Sequence, residues 1–413
     1  MRGRKAMKIA LVVWDLSVSG GTQRQALELA HYLQKVGHTV KIYCAYLNRS
    51  KCYPERLKGL HIVPMMKGDY LASKGKPRRW LFYPLEPLFT EEAKSFARNM
   101  EKGFDIVNPH EHRAYRVAYY YKKLHGTPAV WMVNDLPRSL IVPPPRDIVN
   151  YLHYVLLGGP IGRRVDRRRI RDLDGAVVFD KPSMEAFHKR TGIMPARMGS
   201  GLDPSAFEFR LGGSCGDKEG VTLLAVGIFF PHRRFEDLLH AVDLLNKEKI
   251  RANLLLVGSE SYASEYAQKV HDLVRTLGLE GQVKFMGEIP ETALRSLYAS
   301  SDVLVFPNYP QTWGLAVFEA MASGTPVIVS TGAGASEVLT DGENALLVPP
   351  GSPQMIAKSV KRLVDDPSLY RKLSVNGRSF VEEKISWDAY GQRMETLFND
   401  AVSRRTMSGV KKG

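Results

Sequence analysis

The sequence predicts an α/β protein of two lobes, each built on a parallel sheet. Three observations carry that expectation. The chain has 413 residues, more than one ordinary domain holds and suited to two. Short apolar runs alternate with amphipathic segments of helix length from end to end, which is the pattern of strand–helix–strand units. Near the middle, residues 195–220 are rich in Gly, Pro and small residues, and Gly212-Gly213-Ser214 among them reads as a linker.

The elements follow in order. Before Met7 the chain is a short basic tail, and the fold begins there. Residues 8–13 are almost wholly apolar, as a strand covered on both faces must be. Gly20-Gly21 breaks the chain, and residues 22–35 have helical spacing. Further strands are expected near 39–44, 61–64, 105–108, 129–133 and 176–179. The second half repeats the pattern near 221–226, 253–257, 283–286, 303–306, 326–330 and 345–348. From Ser386 the run SWDAYGQRMETLFNDAV is helical. The expected division is a first Rossmann-like lobe over residues 7–196, a second over 197–385, and a closing helix over 386–405.

Composition narrows the class. With 44% hydrophobic and 24% charged residues the chain is globular. Three cysteines, Cys44, Cys52 and Cys215, lack metal-ligand spacing and suit a reducing compartment. No apolar run approaches the ~20 residues of a membrane span. The basic N-terminus runs straight into a strand with no cleavage site, unlike a signal peptide. The expected location is therefore cytoplasmic. The net charge of +15 would suit nucleic acid, an anionic membrane face or anionic substrates. Nucleic acid is set aside, because no recognition module accompanies the charge. Arg163, Arg164, Arg167, Arg168, Arg169 and Arg171 form one dense cluster. Lys74, Lys76, Arg78 and Arg79 form another, followed by Trp80-Leu81-Phe82-Tyr83-Pro84-Leu85. Basic residues beside aromatics suit an anionic membrane surface, so a peripheral membrane position is a second expectation. A solvated helix face explains the first cluster equally well.

The most informative stretch is residues 311–337. It follows the apolar run Val303–Phe306 and holds Trp313-Gly314-Leu315, a short helical segment over 315–322, a second apolar run over 326–330 and the loop Gly332-Ala333-Gly334. In parallel sheets ligands sit at the carboxyl ends of the strands. A helix beginning near Gly314 offers free N–H groups to an anion. Glu319, one turn inside it, is suited to accept two hydrogen bonds from a sugar diol. Residues 227–234, GIFFPHRR, follow another strand and precede a helix. Cations at a helix N-terminus are unfavourable without an anion, so Arg233 and Arg234 point to phosphate. Gly20-Gly21 follows the first strand and lets a ligand approach the backbone. Asn134-Asp135 and His110-Glu111-His112 end two further strands. Zinc at His110 and His112 is a poor fit, with no third ligand in sight. Asp172-Leu173-Asp174 matches a metal-binding Asp-x-Asp, a pair common by chance, and is discounted. A dinucleotide dehydrogenase is excluded, because Glu337 holds the third glycine's place in the only suitable glycine loop.

Together these motifs resemble the nucleotide-sugar signature of the family 4 retaining glycosyltransferases, over nearly the full chain. The resemblance implies the GT-B fold: two lobes facing across a cleft, with the last helix crossing back to the first. It implies a hexosyl transfer from a nucleotide-diphosphate sugar, GDP-mannose or a UDP-hexose, to a sugar or lipid-linked acceptor. It also implies no metal and no cofactor beyond that donor substrate. By resemblance Glu319 binds the ribose, Met286 lies near the base, and Gly227 and Arg233 grip the diphosphate. Thr312, Trp313, Gly314 and Leu315 line the donor, Gly20 and Gly21 touch donor phosphates or acceptor, and His110 falls on the acceptor side. Three positions depart from the family pattern. Gln311 replaces a glutamate, Asn134 a histidine and Ile228 an arginine. Arg234 stands near enough to supply the missing charge. Gln311 cannot be a nucleophile, but it can hydrogen-bond a sugar. That suits a front-face process in which the leaving phosphate takes the acceptor's proton. The departures also leave open a non-catalytic nucleotide-sugar-binding homologue or partner subunit.

Overall fold

A computed structural model describes residues 6–66, 90–137, 140, 159–212, 215, 220–309 and 313–410. The chain divides into two compact units. The first comprises Met1–Phe179, Ser183–Met198 and Tyr390–Gly413; the second comprises Asp180–Pro182 and Gly199–Ala389.

Among the described residues the first unit carries seven strands: β1 (Lys8–Leu16), β2 (Thr39–Leu47), β3 (Ile62–Pro64), β4 (Ile106–His110), β5 (Val130–Met132), β6 (Gly175–Val178) and β7 (Ala196–Arg197). Their order is β3-β2-β1-β4-β5-β6-β7, and every pairing is parallel. Its helices are α1 (Gly21–Lys35), α2 (Glu91–Asn99), α3 (Glu111–His125), α4 (Gly159–Arg171) and α5 (Lys181–Thr191). β1 is buried along nearly its whole length because helices cover both faces.

The second unit carries β8 (Val221–Val226), β9 (Ala252–Val257), β10 (Val283–Gly287), β11 (Val303–Phe306), β12 (Val327–Ser330) and β13 (Leu346–Val348). Their order is β10-β9-β8-β11-β12-β13, again all parallel. The helices are α6 (Phe235–Lys247), α7 (Ser264–Thr276), α8 (Glu291–Ser300), α9 (Leu315–Ala322), α10 (Pro353–Asp365), α11 (Pro367–Phe380) and α12 (Trp387–Val410).

Two points correct the sequence reading. Among its described residues, 195–212, 215 and 220, the expected linker holds a strand and closely packed glycines. β7 pairs with β6 as Val178↔Arg197, a two-residue strand too short to show any period. Beyond it, a Cβ on Gly199 would lie 2.0 Å from the Trp313 ring, and one on Gly201 2.7 Å from Trp387. Glycine is present there for close packing and not for flexibility. The strand ends also run further than expected: β1 reaches Leu16, and β4 takes in His110.

From Tyr390 onward α12 belongs to the first unit. Tyr390, Met394, Phe398 and Ala401 are buried there at helical spacing. Glu395, also buried, accepts from Tyr32 Oη (3.2 Å) and pairs with His38 Nε2 (3.2 Å). Gly391 lies under the Tyr32 ring, where a Cβ would sit 2.2 Å away.

Candidate functional site

Each sheet reverses its strand order once, between β1 and β4 in the first unit and between β8 and β11 in the second. Ligands in open α/β sheets bind outside the carboxyl ends of the strands at such a point. Gly20-Gly21, His110-Glu111-His112, residues 227–234 and residues 311–322 follow or end these four strands, while Asn134-Asp135 follows β5 and Met286 lies in β10.

In the second unit β8 ends at Gly227, whose N–H donates to the Val257 carbonyl (2.8 Å). Gly258 crosses it so closely that a Cβ there would lie 2.0 Å from the Gly227 oxygen. The loop then turns through Pro231–Arg233. Arg233 folds back over Gly227: a Cβ on that glycine would lie 2.6 Å from Arg233 Nε. Burial holds the Arg233 pKa below its ordinary value, and Nε has no hydrogen-bond partner. No carboxylate pairs with Arg233 among the described residues. A guanidinium taken from water without a counter-ion is costly, and an anion beside it would offset that cost. Arg234 differs. It caps α6 with φ +52°, and its Nε and Nη2 bond Asp237 at 2.6 and 3.0 Å. Its charge is already neutralised, so it does not stand free to replace the cation absent at Ile228.

After β11, the Tyr309 N–H donates to the His232 carbonyl (2.8 Å) and ties the two loops together. Gly314 caps α9 with φ +80°, a left-handed value that suits glycine, and a Cβ there would meet the Phe306 ring at 2.9 Å. Trp313 is buried against Phe318, with ring centroids 4.9 Å apart. Leu315 opens the helix half-buried, and Glu319 one turn on accepts from Tyr298 Oη (2.9 Å). Met286 lies where β10 slips register before Gly287. Gln311 and Thr312 lie outside the described residues, as do Lys74 to Leu85.

In the first unit Gly20 caps α1, and the space beside Gly21 is open where a Cβ would stand. Asn134 is bonded at both ends of its amide. Nδ2 donates to Gln25 Oε1 (2.8 Å), and Oδ1 accepts the Glu111 N–H (3.3 Å). Asp135 accepts the His112 N–H (2.7 Å) and pairs with the His112 ring. His110 is fully buried. Its Nε2 meets Asn108 Oδ1 (2.9 Å), and burial pushes its pKa down to about 3, so the ring is neutral.

Buried polar groups without partners are few in folded proteins, and each calls for a reason. Here Trp14 Nε1, Gln25 Nε2 and His110 Nδ1 lie on β1, α1 and β4, and Arg233 Nε, Asn308 Nδ2 and Trp313 Nε1 lie just past β8 and β11. Six such atoms flank the two switch points. Sequence reasoning missed Gln25, Asn308 and Tyr298, because an amide or phenol inside a helix or strand end carries no local signal. Glu111 was named only as a neighbour of His110.

Asp172 and Asp174 are spent on Lys123 (3.0 Å) and Lys122 (2.6 Å), and Asp174 also accepts the Ala129 N–H (2.8 Å). Among the described residues no cluster of three or more His, Cys, Asp or Glu side chains could hold a metal, and no helix is long and apolar enough to cross a membrane. In the arginine cluster on α4, Arg167 and Arg171 donate to the carbonyls of Arg190 and Thr191, Arg169 is buried, and Arg164 and Arg168 are exposed.

The chain is similar to known proteins over both units. Residues 19–199 match the model of Glycosyltransferase Family 4, and residues 216–380 match Glycosyl transferases group 1. An uncharacterized glycosyltransferase of Methanocaldococcus jannaschii is 24% identical over 96% of this chain and 99% of its own length. A D-inositol 3-phosphate glycosyltransferase of Corynebacterium glutamicum (strain R) is 29% identical over 95% of this chain and 94% of its own. Among solved structures, Anabaena HepE in complex with UDP superposes with a TM-score of 0.70 at 16% identity, covering 95% of this chain and 100% of that one. That likeness shows the fold, two parallel-sheet Rossmann-like domains as in GT-B proteins. With one model on each unit and relatives that match from end to end, the chain belongs with the group 1 and family 4 glycosyltransferases.

Proposed function

We propose that this glycosyltransferase moves a hexosyl group, with retention, from GDP-mannose or a UDP-hexose to a sugar or lipid-linked acceptor, without a metal ion. The observation that carries the donor class is Arg233, a part-buried guanidinium that lacks a counter-ion and folds over a glycine loop. A departing diphosphate supplies the missing anion, and a preorganised cation stabilises it most as its charge grows. In this reading Arg233 and the Gly227 loop hold the diphosphate. Thr312, Trp313, Gly314 and Leu315 present the start of α9 to the donor. Glu319 takes the ribose diol, with Tyr298 fixing its carboxylate, and Met286 lies beside the base. Gln311 and Asn134 hydrogen-bond sugar hydroxyls, Gly20 and Gly21 admit phosphate or acceptor, and His110 stands on the acceptor side. The leaving oxygen takes the acceptor's proton, so a neutral Gln311 suffices. The UDP complex of HepE and the naming of the corynebacterial relative for D-inositol 3-phosphate support a nucleotide donor and a hydroxylated acceptor. The exposed Arg164 and Arg168 suit an anionic membrane face, where a lipid-linked acceptor would lie.

A second reading, a nucleotide-sugar binder without turnover, is favoured by Asn134, whose amide is already bonded at both ends. One experiment separates them. Release of free UDP or GDP is measured from a panel of nucleotide sugars, with and without membrane lipid extract, beside Glu319→Ala. We expect release from one donor, reduced roughly 100-fold in the variant, the scale of a lost charged hydrogen bond. Release that requires lipid places the acceptor in the membrane. Nucleotide binding with no release from any donor establishes the second reading.

A further inference from the structure

The switch point of the first unit holds a carboxyl to which the proposed reaction gives no role. Glu111 opens α3 with φ +66°, a left-handed value that a non-glycine residue keeps only where its surroundings enforce it. Three bonds enforce it here. Its N–H donates to Asn134 Oδ1 (3.3 Å), its carbonyl accepts from Trp131 Nε1 (3.0 Å), and its Oε1 accepts the Trp14 N–H (2.7 Å). Oε2 has no hydrogen-bond donor among the described residues. The carboxyl is thus aimed by bonds to β1 and to the end of β5, and left with one oxygen unused. The Asn134 amide links it to Gln25, whose Nε2 is buried without an acceptor, and His110 Nδ1 beside it in sequence is likewise unpartnered.

The charges around Glu111 are unbalanced. Burial, and then Asp135, push its pKa up to about 7 against the pull of His112 and Arg113. The His112 ring is already paired with Asp135, and the Arg113 guanidinium lies 5.7 Å from the Trp14 ring centroid. Asp135 is thus taken up by His112, and a phosphate placed beside Oε2 would face the Glu111 carboxylate itself. A hydroxyl would find a carboxylate to accept its hydrogen; His110 Nδ1, whose ring donates through Nε2–H to Asn108, is a further acceptor and not a donor.

We propose that Glu111 selects the acceptor on the first unit, its unused oxygen taking a neutral hydroxyl of a sugar or polyol and rejecting a phosphate at that position. This rests on the glycosyl-transfer reading and deepens it. Because an ionised carboxylate accepts more strongly than a neutral acid, affinity for a neutral acceptor rises with pH through about 7.

The test is a tryptophan-fluorescence titration of the full chain at pH 6 and pH 8. One ligand pool holds myo-inositol and the methyl α-glycosides of glucose, mannose and galactose; the other holds the monophosphates of the same compounds. We expect the neutral pool to bind roughly tenfold tighter than the phosphates, and several-fold tighter at pH 8 than at pH 6. Glu111→Gln should lose about tenfold in affinity together with the pH step. Melting curves check that the variant is folded and carry a second sign. The folded carboxyl titrates near 7 and the unfolded one near 4.5, so the folded chain holds a proton that the unfolded chain has lost. Wild-type stability therefore falls as pH rises through that window, and Glu111→Gln should melt above wild type at pH 8 but not at pH 4. Tighter binding of the phosphates, binding of neither pool, or a pH step that survives in the variant overturns the proposal. UDP and GDP titrations of the wild-type chain, run alongside, tell two failures apart. Nucleotide binding without neutral-pool binding removes the Glu111 role alone; loss of both removes the glycosyl-transfer reading.

Discussion

Arg233 and Arg234 are adjacent in sequence and opposite in circumstance. The first is part-buried without a counter-ion; the second is locked to Asp237 at the start of α6. Arg233→Ala should therefore reduce turnover roughly 100- to 1,000-fold with little change in melting temperature, as loss of a preorganised transition-state donor does. Arg234→Ala should do the reverse, costing about 1 kcal/mol of stability while leaving most turnover intact. Steady-state kinetics and thermal melts on both variants check this. Equal, small losses of turnover would remove the phosphate role from this loop. Sequence alone shows two cations before a helix. The Asp at i+3 from Arg234 was legible too, but which arginine it would neutralise depends on the left-handed backbone at Arg234. The same limit applies at Glu111. Its residue type and its place after a strand are plain in the sequence, yet its backbone conformation is held by Trp14, Trp131 and Asn134, and its raised pKa comes from burial and then Asp135, none of them neighbours in the chain.

At the scale of elements the sequence is most legible where local signals agree. Val221–Val226, Val303–Phe306 and Leu315–Ala322 stand where the apolar runs and their Gly and Pro boundaries put them. Strand ends are less legible, because they are set by the neighbouring strand. β1 runs on to Leu16 since β2 pairs with it as far as Leu47, although Asp15 looks like a stop. Glycine crossings are invisible for the same reason. Gly258 reads as a plain turn, yet its φ is +147° and the Gly227 oxygen lies 2.0 Å from where a Cβ would stand, which leaves no room for a methyl group. Gly258→Ala should destabilise the second unit by about 2–3 kcal/mol and weaken UDP or GDP binding, since the Gly227 loop must move aside. Calorimetric melts and nucleotide titrations measure the two effects. A melting loss with unchanged nucleotide affinity would separate this crossing from the donor site.

At the scale of the molecule the two-lobed α/β architecture was readable from length, alternation and the motif order. The route of the last helix was implied by the family resemblance, which returns it to the first lobe as found; its apolar spacing alone announces a helix but not the surface it covers. Most of α12 completes the first unit, burying Tyr390, Met394 and Phe398 at about 2 kcal/mol each and giving His38 and Tyr32 their buried carboxylate. A chain ending at Ala389 should keep a protease-resistant second unit, while the first becomes sensitive to limited proteolysis. Equal resistance of both units would show that the helix is dispensable to the first.

That discontinuity bears on how the protein is made. Synthesis runs from the N-terminus, so residues 199–389 have all emerged before Tyr390 does. The unit begun second is therefore the first able to close its core. Until α12 leaves the ribosome, the unit begun first waits with an unsealed apolar seam around Tyr32 and Met132, the partners of Gly391 and Tyr390. A nascent chain stalled before α12 would present that seam to chaperones and to other chains, and its vulnerability would end only when that helix docks.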